Sequence, residues 1–124
     1  MHGLISDRPL LISSLLEHAA RYHGKTEIIS ADSKDKITRS NYENVNIRAK
    51  KLAQALIKLG AKEGDTIATM AWSNLRHYEL YFGVSGIGSI CHTINPRLFP
   101  EQLVFIINDA KDKFLFIDVD FIPL

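Results

Sequence analysis

Between residues 65 and 118 the chain switches pattern four times, and this alternation constrains its fold more than any other feature. DTIATMA is a short apolar run with β-branched residues, and NLRHYELYFGVSGIG is a longer stretch rich in apolar residues. SICHTIN is extended again, PEQLVFIINDAK is helical, and KFLFID closes the segment. Strands that alternate with helices are joined by right-handed crossovers and lie parallel in one sheet. The expected strands are 65–71, 89–95 and 113–118, with crossover helices at 73–87 and 100–111. The nearly continuous apolar run FLFI predicts a last strand buried on both faces.

The residues upstream read as a cover for this unit. A first helix is expected over 10–23, where Ile12, Leu15, Leu16, Ala19 and Tyr22 recur on one face. Two starts fit it: Asp7 as cap with Pro9 in the first turn, or Ser14 with Glu17 at capping-box spacing. Gly24 can stop it in a left-handed conformation. TEIISA and KITRS then read as an antiparallel hairpin around the polar turn Asp32-Ser33-Lys34-Asp35. The second helix carries a stripe of Tyr42, Val45, Ala49, Leu52, Leu56 and Leu59 at steps of three and four, which predicts a face packed on the sheet. Ser40 and Glu43 have capping-box spacing at its start. Gly60 ends it, with Lys58 complementing the helix dipole. The stripe spans less than three heptads, so core packing is expected rather than a coiled coil. Ser73 or Asn74 caps the third helix, whose Tyr78, Tyr81, Phe82 and Ser85 are read as one face turned to the core. Pro100 starts the fourth helix, which turns Leu103, Ile106, Ile107 and Ala110 inward.

Composition excludes several function classes. Fifteen Lys and Arg against fourteen Asp and Glu leave a net charge of +1, and the basic residues are dispersed. No strong field draws the chain to nucleic acid or a membrane surface. Lys50 and Lys51 sit opposite the apolar stripe, as a solvated helix face. The hydrophobic fraction of 46% and charged fraction of 23% are those of an ordinary globular domain. No apolar run is long enough for a transmembrane helix. PLLISSLL has the length of a signal-peptide core but lacks a lysine-rich start and runs into Glu17, His18 and Arg21, so it is read as structural. Cys91 is the one cysteine, which rules out an internal disulfide and points to a reducing, cytoplasmic setting.

Four groups of residues invite a chemical reading. Cys91 next to His92 resembles a nucleophile beside a base, but successive strand residues face opposite ways, and a small buried hydrophobe is expected. Gly83, Gly86 and Gly88 have the glycine content of a phosphate loop. They follow a helix and lead into a strand, at the partly negative helix end, so close helix–sheet packing and a tight exit turn are expected instead. Asp118 and Asp120 form a D-x-D pair at the end of the last strand, where a divalent cation could sit. Further ligands are missing, and Asp120 is read as a helix cap. His18 and His23, five residues apart, leave a shared helix face and give no metal-ligand spacing. Arg76 and His77 are expected to be structural, bonded to neighbouring loops or to chain outside this stretch; contact of Arg76 with a phosphate is the alternative.

Several runs carry a family resemblance: Asn74, Arg76, His77 and Glu79; then His92-Thr93-Ile94-Asn95-Pro96-Arg97-Leu98; then Glu101-Gln102-Leu103 and Ile107-Asn108. Together they resemble the N-terminal region of AMP-forming fatty-acid–CoA ligases of the adenylate-forming superfamily, medium- and long-chain members above all. The upstream helix, hairpin and Tyr42-headed helix agree with it. The resemblance implies a fold: a partial α/β N-terminal subdomain with a β-hairpin and a βαβαβ parallel-sheet unit covered by helices. It implies that 1–124 is an incomplete N-terminal part of an AMP-binding domain. Its parent would activate a fatty acid with Mg²⁺-bound ATP to an acyl-adenylate, then transfer the acyl group to coenzyme A. The implied partners are the remainder of the ligase chain, the fatty acid substrate and, as in some relatives, a second copy in a homodimer. The family's glycine-rich phosphate loop, ribose-binding acid, hinge and late lysine have no counterpart here. No residue of 1–124 is therefore assigned a catalytic, cofactor-binding or metal role. The stretch alone is expected to be inactive, binding no ATP, Mg²⁺ or coenzyme A. A free-standing α/β interaction module is the competing class. An unrelated flavodoxin-like domain would explain the topology but not the motif run.

Overall fold

A computed structural model describes residues 9–31 and 36–124. In chain order the elements are α1 (Ile12–His23), β1 (Glu27–Ala31), β2 (Ile37–Asn41), α2 (Tyr42–Lys58), β3 (Thr66–Met70), α3 (Leu75–Ser85), β4 (Ile90–Thr93), α4 (Pro100–Ala110) and β5 (Phe114–Ile117), ending in a 3₁₀ turn at Val119–Phe121. β1 and β2 pair antiparallel, with Glu27 opposite Asn41 and Ala31 opposite Ile37. β3, β4 and β5 form a parallel sheet in the order β4-β3-β5. The predicted alternation is the observed one, with each strand a residue or so shorter at its ends. The expected cap Asp7 and turn Asp32-Ser33-Lys34-Asp35 lie outside the described residues.

The central strand is β3, where Ile67, Ala68, Thr69 and Met70 are all buried. On one face Ile67 joins Leu56, Leu80 and Val84 under α2 and α3. On the other Ala68 and Met70 join Ile94, Leu103 and Phe121 under α4. Central position, with a neighbour on each side and a helix layer on each face, makes this strand continuous in its apolar character. The expectation that FLFI would be buried on both faces is corrected. β5 is an edge strand, and its residues alternate: Phe114 and Phe116 are half-buried against the Leu56 cluster, while Leu115 and Ile117 are exposed.

A third cluster lies away from the sheet. Leu16 of α1 and Val45 and Ala49 of α2 pack with Tyr78 and Phe82 of α3. The apolar face of α2 is thus split. Its first two turns meet α1 and α3, and Leu52 and Leu56 in its second half reach the sheet cluster. Leu59, read as part of the stripe, is exposed at the C-cap. Of the stripe expected on α1, Leu16 is buried, while Ile12, Leu15 and Tyr22 are exposed.

Caps decide several boundaries. Asn41, not Ser40, caps α2: its Oδ1 accepts from the Asn44 amide at 2.9 Å. Ser40 is still paired in β2, opposite Ile28, so its side chain sits one residue too early. Asn74 caps α3, accepting from the His77 amide at 3.0 Å. Leu11 sits at the N-cap of α1, and Ser14 donates its hydroxyl back to the Leu11 carbonyl at 2.6 Å. Gly60 has φ +93° and ends α2 in the left-handed conformation, as expected. Gly24 does not: it stays right-handed, and its carbonyl accepts from the Glu43 amide at 3.1 Å.

Candidate functional site

The carboxyl edge of the sheet is where α3 leaves toward β4 on one face and α4 returns to β5 on the other. Such a reversal opens a crevice outside the strand ends. Here a groove of about 690 Å³ runs between the hairpin, α2, the start of α3 and the residues after β5.

Its floor is a polar lattice built by the D-x-D pair. Asp118 Oδ2 accepts from the Trp72 amide at 2.8 Å and from Asn74 Nδ2 at 3.3 Å. Trp72 Nε1 donates to Asp120 Oδ2 at 3.0 Å, and the indole packs on Phe121 with ring centroids 4.8 Å apart. The pair therefore ties the end of β5 to the β3–α3 loop. The reading of Asp120 as a helix cap is corrected: it lies inside the 3₁₀ turn, whose cap position is Asp118 without a side-chain cap bond. Among the described residues no three of His, Cys, Asp and Glu converge as a metal would require.

Several amides at the start of α3 are engaged. The Leu75 amide donates to Ser30 Oγ at 3.0 Å, which locks the hairpin onto α3, and Asn74 takes the His77 amide. His77 is buried, with Nε2 3.0 Å from Thr69 Oγ1 and its ring stacked on Tyr81 at 4.7 Å. Burial holds its pKa below the usual histidine value, against the weaker opposing pull of a backbone hydrogen bond at Trp72 and the charge of Asp118. His77 thus bonds the Trp72 backbone of the β3–α3 loop, a loop contact of the kind expected, and a strand hydroxyl besides. Tyr81 leaves the aromatic face predicted for α3: Tyr78 and Phe82 meet edge-on at 5.1 Å in the helical cluster, while Tyr81 is partly exposed on the His77 side. Arg76 is exposed and lines the groove.

One wall of the groove holds an ion pair that the sequence patterns did not single out. Arg48 of α2 donates through Nε to Glu79 Oε1 of α3; the Glu79 side chain is 7% exposed. The hydrogen bond to Glu79 and its charge raise the Arg48 pKa above its ordinary value. A buried carboxylate with one partner depends on that partner strongly. Residues 31 apart in sequence carry no local signal of such a pair.

The other candidates fall elsewhere. Cys91 is half-buried against the Leu56 cluster, and burial pushes its thiol pKa up, opposed by a hydrogen bond with Thr69. A raised pKa leaves little thiolate, the reverse of what a nucleophile needs. His92 is turned away from it and bonds through Nδ1 to Asp112 Oδ2 at 2.8 Å. The other oxygen of Asp112 is buried with no hydrogen-bond partner among the described residues. Of the glycines, Gly83 lies against α2, not the sheet: a Cβ there would come within 2.9 Å of Leu52 Cδ2 and 3.2 Å of the Ala49 carbonyl oxygen. Gly88, at φ +74°, makes the exit turn into β4. His18 and His23 stay closer than their spacing suggested, with ring centroids 6.2 Å apart at the end of α1.

Fold and edge geometry define an α/β subdomain with a three-stranded parallel sheet, and comparison with known proteins gives the family. The chain belongs to the AMP-binding enzyme family, whose model matches residues 15–123. Over its whole length it is 54% identical to a 3-methylmercaptopropionyl-CoA ligase of Ruegeria lacuscaerulensis and 50% identical to a medium-chain-fatty-acid–CoA ligase of Ectopseudomonas oleovorans. It spans 23% of the length of each. Among solved structures, a fatty acyl CoA synthetase of Mycobacterium tuberculosis superposes over 91% of this chain and 22% of its own, with a TM-score of 0.81 and 26% identity.

Proposed function

We propose that residues 1–124 are the incomplete N-terminal part of the AMP-binding domain of a fatty-acid–CoA ligase. The observation that carries this is identity of half or more, over every residue of the chain, with two acyl-CoA ligases. The parent protein runs two displacements. The fatty acid carboxylate attacks the α-phosphorus of ATP and pyrophosphate leaves. The coenzyme A thiol then attacks the acyl carbon, losing its proton, and AMP leaves. Mg²⁺, when bound with ATP, would supply neutralisation of phosphate charge; no residue of 1–124 is assigned to hold it. The setting is cytoplasmic, consistent with one unpaired thiol and with no helix among the described residues long and apolar enough to cross a membrane.

By this reading the 124 residues alone are inactive. Holding a triphosphate takes free backbone N–H groups at a helix start, together with cations. The arrangement at α3 does not suit that task. Two of its first amides are taken by Ser30 and Asn74, and the glycine cluster lies at its far end. These residues supply a three-stranded parallel sheet and its covering helices rather than a nucleotide cradle.

The test is fatty-acid-dependent ATP–pyrophosphate exchange, measured on the purified chain and on a full-length protein that begins with it. The full-length protein should exchange label, and the 124-residue chain should not exceed a blank without enzyme. Exchange by the short chain, abolished by a point mutation within it, would overturn the inactivity. A full-length protein that fails with every fatty acid tried would overturn the ligase reading.

A further inference from the structure

Three reactive side chains meet on one face of the sheet, away from the groove. Ile67 and Cys91 are partners in the β3–β4 register, and both lie in the Leu56 cluster under α2 and α3. Thr69 stands two residues after Ile67, so its side chain points to the same face. It is fully buried, hydrogen-bonded to Cys91 on one side and 3.0 Å from His77 Nε2 on the other. A threonine hydroxyl can accept twice but has one hydrogen to give.

The far side of the imidazole decides which neighbour receives that hydrogen. Nε2 is at Thr69, so the bond to the Trp72 backbone is made by Nδ1. The Trp72 amide is already given to Asp118 Oδ2, which leaves the Trp72 carbonyl. A carbonyl only accepts, so Nδ1 carries the proton. The neutral ring then has a bare Nε2, which accepts from the Thr69 hydroxyl. Cys91 is left to donate its S–H to Thr69 Oγ1. The other titratable groups around the ring do not claim Nε2. Tyr81 of α3 stacks on the ring at 4.7 Å, Asp118 after β5 acts through its charge, and Glu79 of α3 is turned to Arg48 on α2.

We propose that Thr69 is a one-hydrogen switch between His77 and Cys91: the neutral imidazole holds the hydroxyl hydrogen, and Cys91 is thereby kept as an unreactive thiol. Ionising Cys91 calls for that hydrogen and would orphan Nε2 in a buried site, so the two groups work against each other. Protonating His77 reverses the chain. Nε2–H then donates to Thr69 Oγ1, and the hydroxyl turns to the sulfur, where it favours the thiolate. The fold thus guards the one cysteine of this chain, and protonation or loss of His77 lifts the guard. The inference does not depend on what the longer protein catalyses.

Two measurements test it, both on a full-length protein that begins with these residues. Magic-angle-spinning ¹⁵N NMR of histidine-labelled protein at about pH 8 reads the tautomer, with His77 identified by the signal lost in His77→Leu. Nδ1 should be protonated and Nε2 bare; the opposite tautomer would overturn the proposal without any variant having to fold. Alkylation of Cys91 by iodoacetamide, followed on tryptic peptide 77–97, reads the switch. His77→Leu should speed it about tenfold, the effect of one freed hydrogen bond, and Thr69→Val alone should change it less than about twofold. His77→Leu with Thr69→Val should be no faster than Thr69→Val, and His77→Leu with Thr69→Ser should regain the rise. No rise in His77→Leu would sink the switch. So would a rise that persists without the hydroxyl, because loosened packing would then explain it.

Discussion

Neighbouring side chains with opposite tasks recur along this chain. Arg76 faces solvent while His77 is buried; Cys91 sits in the Leu56 cluster while His92 reaches Asp112. Strand alternation foretold the second contrast, because successive strand residues point to opposite faces. His77 has a testable signature. Unfolded, its imidazole protonates around the ordinary value of 6.5; folded, burial keeps it neutral to lower pH. Above 6.5 both states are neutral and the contribution to stability is fully present. As pH falls below 6.5 and through the depressed folded value, the unfolded state binds the proton first and stability is lost. The pKa of Asp65, lowered by hydrogen bonds from Lys113 and the Lys62 amide, acts in the same direction only below 3.8. The urea midpoint should therefore fall between about pH 7.5 and about pH 5.5, and fall less in His77→Gln, which cannot take the proton. An equal fall in both proteins would mean that other groups carry the pH dependence.

Among the elements, α2 and α3 approach most closely where Gly83 lies against Ala49 and Leu52. Glycine content there invited comparison with a phosphate loop, and helix polarity argued against it. Neither consideration showed that the close approach is to another helix. Gly83→Ala should gain about 1 kcal/mol of helix propensity. It also forces a methyl to 2.9 Å from Leu52 Cδ2 and 3.2 Å from the Ala49 carbonyl oxygen. Leu52 can rotate in part, but the Ala49 carbonyl belongs to the α2 backbone. Overpacking costs roughly 1–3 kcal/mol, so the expected net result is a loss of about 1 kcal/mol, read as a lower urea midpoint with an unchanged slope. A stabilised variant would mean the helices slide apart at little cost. The same helix pair explains why the α2 stripe predicted a helix correctly but named only one of its neighbours: Leu52 and Leu56 reach the sheet cluster, while Val45 and Ala49 meet α1 and α3. Periodicity reports that a face is buried, not what buries it.

At the scale of the molecule, the β5 edge is one of several places where apolar side chains are exposed. Leu115 is 45% and Ile117 37% exposed on an edge strand. Phe114, Phe116 and Phe121 do not contribute to it. The first two are half-buried against the Leu56 cluster, and the 3₁₀ turn folds Phe121 under the sheet at 7% exposure. An open edge beside apolar side chains invites pairing with another strand. The purified 124-residue chain should therefore associate as its concentration rises, by sedimentation velocity. Leu115→Lys with Ile117→Lys should shift it toward monomer. A wild-type chain that stays monomeric across the range would refute this.

The order of elements, the parallel sheet, a cap at Ser73 or Asn74, the Gly60 stop and the family were all determined by sequence alone. Each depends on residues near one another in the chain: a hydrophobic period, a cap beside a helix, a glycine at a left-handed turn, a run such as His92 to Leu98. Tertiary structure decided which strand became central, and with it which apolar residues are covered on both faces. It also paired Arg48 with Glu79, His92 with Asp112, and Asp118 with Trp72 and Asn74, across 31, 20 and up to 46 residues. Those partners meet only when separate helices and strands dock, and the gain from burying a whole layer sets that docking. No local pattern encodes it.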